Sequence, residues 1–305
     1  MKILVCGASG FVGRHLLKGL REAGHECSRG VRRLQQTGDV SVDYRQDVKV
    51  AAWSEKVRGF DVVINAVGIL RDSQAMPMQQ VLAEAPAAMF KACAEAGVKR
   101  IVNFSALGVE GPLMTAYFQR RREAEAVLFA TPAPLRWLNL RPSVIYGEDG
   151  ASAKMFRLLA ALPVHALPMG GVQTLQPVHI DDVVAAVCRW LDDDLAGRQC
   201  VNATGAEATT MRGMLDSYRQ QSGRGNALHI PVPGVLVKLG ALIGDFLPFS
   251  PLCTDTLTML NAGNTGDNFA FAHLLGRQPL AFSGFIRSLK CHTIDAGTTI
   301  DRLDL

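Results

Sequence analysis

The sequence predicts an α/β fold, a doubly wound parallel sheet with a smaller C-terminal cap region. Two observations support this fold class. Short apolar runs alternate with Ala-rich helical stretches through the first half of the chain, and the first apolar run leads directly into a Gly-rich turn. Buried strands that alternate with helices are typical of a parallel sheet covered on both faces, and right-handed crossovers place helices on both sides of it.

The strands and helices of the first half follow one another closely. The first strand is KILVC, and a helical pattern follows it from Phe11 to Ala23. VLAEAPAAMFKACAEAG (81–97) predicts a second clear helix, which ends at Gly97 as helices often do. Later strands are predicted in three apolar runs, DVVINAVGIL (61–70), RIVNFSALGV (100–109) and LRWLNLRPSVIYG (135–147).

The turn GASGFVG joins the first strand to the first helix, and its glycines stand at 7, 10 and 13. Gly7 permits a tight turn, Gly10 lets backbone amides approach a pyrophosphate, and Gly13 lets the helix pack against the strand. In this position, between a first strand and an amphipathic helix, the pattern predicts a dinucleotide site. The same turn supplies further expected cofactor contacts at Ser9, Phe11, Val12 and Arg14.

The second strand, within HECSRGVRR (25–33), should end at the adenosine ribose. An acidic residue there would bond both ribose hydroxyls and favour NAD, but the sequence has Arg32 and Arg33 at that point. Because a guanidinium pairs well with a 2′-phosphate, we expect NADP(H), with NAD as the alternative. The simpler alternative is that these arginines only face solvent. Further cofactor contacts are expected after the third and fourth strands, at Asp47, Val48, Ala66, Val67 and Gly68.

Beyond Gly147 the alternation weakens, and Gly and Pro become frequent. PVHIDDVVAAVCRWL (177–191) predicts a strand end and then a helix capped by Asp181. QCVNATG (199–205) predicts one more strand. We therefore expect a dinucleotide-binding Rossmann core over 1–147, a cap insertion over 148–176, a return to the core over 177–205, and a C-terminal substrate or cap region over 206–305.

The order of these motifs resembles a known family. GASGFVG, VRR, DVVINAVG, RIVNFSALG, Tyr117 with Glu125, LRPSVIYG and QPVHIDDVVAAV follow one another along the chain. This order resembles the extended, NAD-dependent epimerase/dehydratase branch of the short-chain dehydrogenase/reductase superfamily. More narrowly, the chain looks like the atypical group that includes the NADPH-binding accessory subunit of respiratory complex I. The resemblance extends over residues 1–210 and implies an NAD(P)-binding Rossmann fold.

Active members of this superfamily combine a Ser or Thr with a Tyr-x-x-x-Lys motif. The resemblance implies that Ser105 is the hydroxyl residue and Tyr117 the acid or base, whereas Arg121 stands in the position of the lysine. It also implies that Pro142 and Ser143 border the nicotinamide. Arginine supplies a positive charge that favours a phenolate, but its planar fork does not reproduce a compact ammonium group.

Arg121 leaves three interpretations of Tyr117 open. In the first, Tyr117 is a weakened acid of an NADP(H)-dependent oxidoreductase or epimerase that acts on a carbonyl or hydroxyl compound. In the second, it lies in the NADPH site of a non-catalytic assembly or sensing protein. In the third, it belongs to a solvated helix face, because Glu123 and Glu125 are within helical pairing distance of the arginines at 120–122.

Composition limits the classes of function. Of the 305 residues, 48% are apolar and 20% charged, which is enough apolar material for a large core. The net charge of +4 is mild and diffuse, so it suits an anionic small molecule and disfavours nucleic acid as a partner. The seven cysteines form no C-x-x-C pair and no metal-ligand spacing with histidine. We therefore expect reduced thiols, no metal and a cytoplasmic protein.

Only one apolar segment is a candidate for membrane contact. The opening MKILVCGASG leaves no room for the apolar part of a signal peptide, and no stretch reaches the roughly 18 apolar residues of a membrane span. The apolar segment 228–252 has only Lys238 and Asp245 as charges. Such a segment most often lines a substrate pocket or a core, and the alternative is a contact with a membrane surface or a partner protein. With the family resemblance, it suggests an apolar ligand such as a quinone or a lipid.

Other patterns of catalytic residues are weak. His179 with Asp181 and Asp182 is similar to a metal site, but a strand-to-helix junction explains Asp181 better as a cap. Cys291 and His292 have no orienting acid close in sequence, which disfavours a thiol nucleophile. The sequence has no Gly-x-Ser-x-Gly elbow, which disfavours a hydrolase.

Overall fold

A seven-stranded parallel sheet forms the centre of the computed structural model, which describes residues 1–247, 250 and 252–286. The strands in this part of the chain are β1 (Lys2–Cys6), β2 (Glu26–Val31), β3 (Val40–Ser41), β4 (Val62–Asn65), β5 (Arg100–Phe104), β6 (Arg136–Pro142), β7 (Ile145–Tyr146), β8 (Val164–Pro168), β9 (Thr174–Leu175), β10 (Val178–His179), β11 (Gln199–Ala203), β12 (Thr209–Thr210) and β13 (Leu228–Val232). The central sheet has the order β11-β6-β5-β4-β1-β2-β3, and all its neighbouring pairs are parallel. Strand order reverses between β1 and β4, and ligands of such sheets bind at the carboxyl ends of the strands beside that point.

Helices connect these strands and cover the sheet. They are α1 (Phe11–Glu22), α2 (Val50–Val57), α3 (Ala85–Glu95), α4 (Ala116–Phe129), α5 (Ala151–Ala161), α6 (Ile180–Asp192), α7 (Met211–Gln221), α8 (Gly234–Asp245), α9 (Thr254–Asn261) and α10 (Phe269–Leu275). A turn of π-helix, Gln80–Glu84, runs directly into α3. None of the described helices is both long enough and apolar enough to cross a membrane.

The core lies in two apolar layers, one on each face of the central sheet. Along β1, Leu4 and Cys6 point into one layer, and Ile3 and Val5 point into the other. Helices α2, α3 and α4 complete the first layer, and α1, α6 and α10 complete the second. Each fully buried aliphatic side chain contributes about 1.5–3 kcal/mol to such a core. The predicted doubly wound α/β fold is confirmed.

The cap region contains strands that the sequence did not predict. Where a loop and a helix were expected over 148–176, β8 and β9 are also present. β8 pairs in parallel with β13, so that Val164 is opposite Leu228, and β9 pairs antiparallel with β12. These short strand pairs join segments that are far apart in the chain, so no local sequence pattern predicts them. The division of the chain at residues 147, 176 and 205 stays a prediction.

Helix α6 follows β10 as predicted, but Asp181 is not its cap. The cap residue is His179, whose Nδ1 accepts the backbone N–H of Asp181 at 3.2 Å. Asp181 and Asp182 lie in the first turn, where the helix dipole favours negative charge. The Asp182 carboxylate is fully buried and accepts the Leu280 N–H at 2.7 Å. The prediction of a cap at Asp181 was wrong because the preceding imidazole takes that role.

Three asparagines stand side by side on neighbouring strands of the central sheet. Asn65 on β4 is opposite Asn103 on β5, which is opposite Asn139 on β6. The Asn65 amide donates to Asn103 at 2.8 Å, and the Asn103 amide donates to Asn139 at 2.7 Å. All three are at most 2% exposed, and each polar group left unpaired there would cost about 1–3 kcal/mol. This asparagine ladder therefore favours a single register of the three strands.

The asparagine ladder ends on helix α4. The Asn139 amide donates to Glu125 at 2.8 Å, and the Arg141 guanidinium donates to both Glu125 oxygens, at 3.0 and 2.6 Å. Burial raises the pKa of Glu125, but the hydrogen bonds it accepts and the charge of Arg141 hold that pKa below its ordinary value. Glu125 thus attaches α4 to the sheet, and α4 also contains Tyr117 and Arg121.

We predict that Glu125→Gln lowers the free energy of unfolding at pH 7 by about 3 kcal/mol, because it leaves the Arg141 charge, which is 14% exposed, without its main partner. A depressed carboxyl pKa stabilises the fold above the ordinary glutamate value of 4.5, and that contribution is lost as pH falls through the lower folded value. The difference between the two proteins in urea unfolding should therefore shrink as the buffer is acidified from neutral to below pH 4.5.

Glu123→Gln is the matched control, since its carboxylate is exposed on the same helix and pairs with Arg120. It should change the free energy of unfolding by less than about 0.5 kcal/mol. Equal effects of the two substitutions would contradict the attachment of α4 through Glu125.

Candidate functional site

Two glycines of the turn after β1 are required by steric constraints. Gly7 has φ +82°, and a Cβ on it would lie 2.8 Å from the Ala66 carbonyl oxygen. A Cβ on Gly13 would lie 2.2 Å from the Gly7 carbonyl oxygen, so the helix approaches the turn as closely as its backbone allows. Gly10 is the N-cap of α1, and no side chain of the described residues caps that helix. The first N–H groups of α1 therefore have no side-chain acceptor, which suits an anion.

A groove of about 210 Å³ runs from this turn to the end of β4. Ala66, Val67 and Gly68, which the sequence places beside a cofactor, form one wall of it. The opposite wall consists of residues of the turn and of β2, among them Gly7, Ser9, Gly10, Gly30, Val31 and Arg32.

The groove continues into a larger cavity of about 530 Å³ at the end of β2. The two share Ser9, Val31, Arg32 and Asp43 in their walls. The larger cavity has four arginines around one carboxylate, that of Asp43; the arginines are Arg29, Arg32, Arg33 and Arg45. We call these four residues the arginine cluster.

Arg45 is the member of the arginine cluster that the sequence did not reveal. It follows β3, away from the RGVRR segment, so no local spacing connects it with the ribose end. Its Nε donates to Asp43 at 2.9 Å, and this bond lowers the pKa of Asp43 despite some burial. Asp43 is therefore held as a partner of Arg45, and the cluster keeps an excess of positive charge.

Several other residues expected to touch a cofactor have their side chains engaged elsewhere. The Asp47 carboxylate accepts the Asp43 N–H at 2.8 Å and the Lys56 ammonium at 2.5 Å. Val48 is partly buried and packs against the core layer that contains side chains of α2, α3 and α4. Residues 42–44, not Asp47 and Val48, form the groove wall at this end.

Phe11 and Arg14 face the cap side of α1. The Phe11 ring leaves no room for a Cβ on Gly147, which would lie 2.5 Å from Cζ, and Val12 packs on the core. The Arg14 guanidinium donates to the Ser9 carbonyl at 2.7 Å and to Asp149 at 2.8 Å. With His15, Arg14 lowers the pKa of Asp149 to about 2, although burial acts in the opposite direction.

Pro142 and Ser143 lie at the end of β6. The Ser143 hydroxyl donates to the Gln176 carbonyl at 2.6 Å, and the Pro142 carbonyl accepts the Leu107 N–H at 3.0 Å. Both contacts hold this strand end against its neighbours. The Ser143 N–H also donates to the Ala203 carbonyl, at 3.0 Å, so both donors of this residue are engaged within the fold.

Ser105, Tyr117 and Arg121 come together at the carboxyl end of β5. Arg121 is only 6% exposed, and its Nη1 donates to the Phe104 carbonyl at 2.6 Å. Its Cζ lies 5.5 Å from the centroid of the Tyr117 ring, a cation–π contact. A Cβ on Gly68 would lie 2.9 Å from Nη2, so the guanidinium reaches the groove wall.

Two polar atoms of this cluster lack a hydrogen-bond partner among the described residues, Arg121 Nε and Ser105 Oγ. The Ser105 hydroxyl does lie near Glu125, where it helps to keep the pKa of that carboxyl low, although it makes no hydrogen bond of normal geometry. Buried polar atoms without partners are uncommon and mark places where a ligand can bind.

The interpretation of 120–122 as one solvated helix face was wrong. Only Arg120 fits this interpretation, because its half-buried side chain pairs with the exposed Glu123. Arg121 is buried at the groove, and Arg122 donates to the carbonyls of residues 109, 111 and 113 in the preceding loop. Glu125 pairs with Arg141 of β6. Successive side chains of a helix point in different directions, so each of these side chains contacts a different part of the fold.

The apolar segment 228–252 does not form a buried pocket wall along α8. Six large apolar side chains on the outer face of α8 and its cap are 53–88% exposed: Val235, Leu236, Leu239, Leu242, Ile243 and Phe246. The face turned inward has Val237, Ala241 and Gly244. Residues 248, 249 and 251 of this segment, and Cys291 with His292, lie outside the described residues.

Arg71 links α8 to the groove. It follows Gly68 by three positions, and its guanidinium donates to the Gly244 carbonyl at 3.0 Å and the Leu247 carbonyl at 2.6 Å. Gly244 lies in the last turn of α8, and Leu247 follows the helix. The exposed apolar helix is thus attached to the segment that forms the groove wall.

The parallel sheet with its order reversal, the glycine turn and the groove define an NAD(P)-binding Rossmann protein. Residues 7–161 match the family model described as NAD(P)H-binding. The chain belongs to this NAD(P)H-binding family, within the atypical, epimerase-like short-chain dehydrogenases/reductases. The family predicted from the motif order is confirmed.

Named relatives include reductases and a respiratory-chain subunit. A ceramide reductase of Caulobacter vibrioides is 28% identical, and the match covers 79% of this chain and 77% of that protein. Mitochondrial NADH dehydrogenase [ubiquinone] 1 alpha subcomplex subunit 9 of Arabidopsis thaliana is 26% identical, with 91% and 76% covered. The NADPH complex of the Escherichia coli quinone oxidoreductase QOR2 has a similar fold, with a TM-score of 0.73, 18% identity, and 94% and 99% covered.

Proposed function

We propose that this protein is an NADPH-dependent reductase of an apolar carbonyl compound, with Tyr117 as the proton donor. The main support is the buried cluster of Ser105, Tyr117 and Arg121 at one end of the groove, opposite the arginine cluster. When bound, NADPH supplies the hydride. The Tyr117 hydroxyl gives its proton to the carbonyl oxygen, and the Ser105 hydroxyl orients that oxygen.

Arg121 has two roles in this proposal. Its positive charge beside the ring stabilises the phenolate that remains after proton transfer. Its Nε, which has no protein partner among the described residues, binds an oxygen of the ligand at the wall formed by Gly68. The side chain is held for this by its bond to the Phe104 carbonyl.

The arginine cluster supports NADPH over NADH. A 2′-phosphate has two negative charges to neutralise, and a guanidinium binds phosphate through paired, charge-assisted hydrogen bonds. Three of the four arginines lie at the end of β2, where an acidic residue would favour NADH.

Arg32→Ala and Arg45→Ala should each raise the Kd for NADPH by about 10-fold or more, because each removes a charge-assisted hydrogen bond. The Kd for NADH should hardly change. Fluorescence titration of each protein with both cofactors measures this, and Arg58→Ala, exposed at the end of α2 and paired with Glu55, is the control. If the unsubstituted protein binds NADH as tightly as NADPH, the preference is refuted.

Tyr117→Phe should lower kcat/KM by about 100-fold or more while the Kd for NADPH stays the same, since only the proton donor is removed. NADPH oxidation is measured with a long-chain ketone, a quinone and a short-chain aldehyde.

Arg121→Lys should raise the rate of NADPH oxidation, because a compact ammonium also reaches the ribose hydroxyls. Arg120→Lys, half-buried on the same helix, should leave the rate unchanged.

A non-catalytic NADPH-binding assembly or sensing protein is the second candidate. The position and contact of Arg121 favour it, because the guanidinium lies over the Tyr117 ring and makes no hydrogen bond to its hydroxyl in the described structure. This candidate replaces the first if both the unsubstituted protein and Arg121→Lys bind NADPH but oxidise none of it with any of the three substrates.

The apolar substrate in this proposal comes from a lipid surface on which α8 rests, with the protein otherwise in the cytoplasm. Helix α8 has an apolar face opposite its buried face, whereas helices on a solvated surface have a polar one. Leu228 and Ile230 of β13, just before α8, are exposed as well. The Caulobacter relative is named a ceramide reductase, and a lipid substrate would be present where α8 binds.

Leu239→Lys with Leu242→Lys should lower co-sedimentation with vesicles of phosphatidylcholine and phosphatidylglycerol by at least about 10-fold, because it places charges in the middle of the apolar face. Leu195→Lys is the control, since Leu195 is an isolated loop residue with 93% exposure. A dimer that the double substitution abolishes, with no binding to vesicles, would show that a second copy covers α8 instead.

A further inference from the structure

A second cluster of chemically active side chains lies in the cap, on three different elements. His165 is on β8, Asp216 on α7 and His229 on β13. The two histidines are direct partners across the parallel β8–β13 pair, and their ring centroids are 5.3 Å apart. One ligand atom from each of the three residues lies within 4.8 Å of the others.

We propose that His165, Asp216 and His229 bind a divalent transition-metal ion, with Zn²⁺ as the best fit. The three are named together below as the cap triad. The sequence suggested no metal site because these residues are far apart in the chain and have no ligand spacing.

The geometry of the cap triad is close to that of a zinc site. Asp216 Oδ1 lies 2.8 Å from His229 Nε2 and 4.0 Å from His165 Nδ1. Zinc bonds of 2.0–2.2 Å in a tetrahedron separate neighbouring ligand atoms by about 3.4 Å. The two observed distances lie on either side of that value, so small rotations of the side chains suffice. Three protein ligands leave a fourth position for water.

His165 provides an independent indication that a ligand belongs here. Its side chain is 1% exposed, and neither ring nitrogen has a hydrogen-bond partner among the described residues. An imidazole buried without partners is costly, because at least one of its nitrogens is a desolvated donor. A metal bound at Nδ1 would satisfy one of the two nitrogens.

The chemistry of the donors selects the ion. Two imidazoles suit zinc and other transition metals, whereas Ca²⁺ and Mg²⁺ require mostly oxygen ligands. Asp216 supplies one charge, and its second oxygen lies 3.8 Å from the Arg212 guanidinium. Arg212 is more than half exposed, so its charge is screened and leaves Oδ1 directed at the histidines.

A metal in the cap triad would tie β8, α7 and β13 to one another. β13 continues through Pro233 into α8. The ion would therefore stabilise the β8–β13 pair, from which α8 extends. It would take no part in the reaction at Tyr117.

The test uses the 305-residue chain after treatment with EDTA and dialysis. Titration with Zn²⁺ should show one ion bound per chain, and saturation should raise the melting temperature by about 5 °C. Co²⁺ in place of Zn²⁺ should give the visible absorption bands of a tetrahedral site, and excess Mg²⁺ should not displace it.

His165→Gln and His229→Gln should each weaken Zn²⁺ binding by about 100-fold or more, since even residues that only hydrogen-bond to the metal ligands contribute about 10–100-fold to metal affinity. His273→Ala removes an exposed histidine of α10 and should leave binding unchanged. NADPH titration shows whether each variant is folded. The proposal is overturned if the unsubstituted protein binds no stoichiometric Zn²⁺, if Co²⁺ gives no tetrahedral bands, or if folded glutamine variants bind as tightly.

Discussion

The asparagine ladder and its end at Glu125 hold the sheet and α4 in a single arrangement. The amides of Asn65, Asn103 and Asn139 are buried; the first two donate to the asparagine of the next strand, and the Asn139 amide donates to Glu125 of α4. A slip of one strand would leave several desolvated polar groups unpaired. The carboxylate at the end of the ladder is balanced by Arg141, which sits on the outermost of these three strands. Because α4 is attached at this point, the phenol and guanidinium it contains have a defined place beside the groove.

Positive charge in the molecule is concentrated where an anionic dinucleotide would lie. The net charge of the chain is only +4, yet four guanidinium groups surround one cavity and a fifth is buried at the opposite end of the groove. A cleft lined by one sign of charge raises the local concentration of the opposite sign. The uncapped N-terminus of α1 lies between these two ends and adds a partial positive charge of its own.

The cap combines two features on opposite sides of a small parallel sheet. On one face of the β8–β13 pair, His165 and His229 lie side by side above Asp216. The alternate residues, Val164 and Leu228, are exposed, because successive side chains of a strand point to opposite faces. The chain continues from β13 into α8, whose outer apolar side chains are also exposed, and Arg71 joins the end of that helix to the segment that forms the groove wall. The helix proposed to meet the substrate and the segment that forms the groove wall are therefore in direct contact.

The sequence by itself determined the doubly wound sheet and the glycine turn, and its resemblance to a known family led to the family assignment and to the prediction of Ser105, Tyr117 and Arg121 as site residues. Apolar periodicity and glycine spacing are patterns of a dozen or so residues, so they can be recognised in the sequence alone. Only the tertiary structure decided which distant side chains lie together: the asparagines across three strands, Arg45 beside the end of β2, and the cap triad. It also decided that the arginines at 120–122 contact three different parts of the fold. The spacing of residues along the chain does not predict these contacts, because they depend on how strands pair and on which face of a helix turns inward.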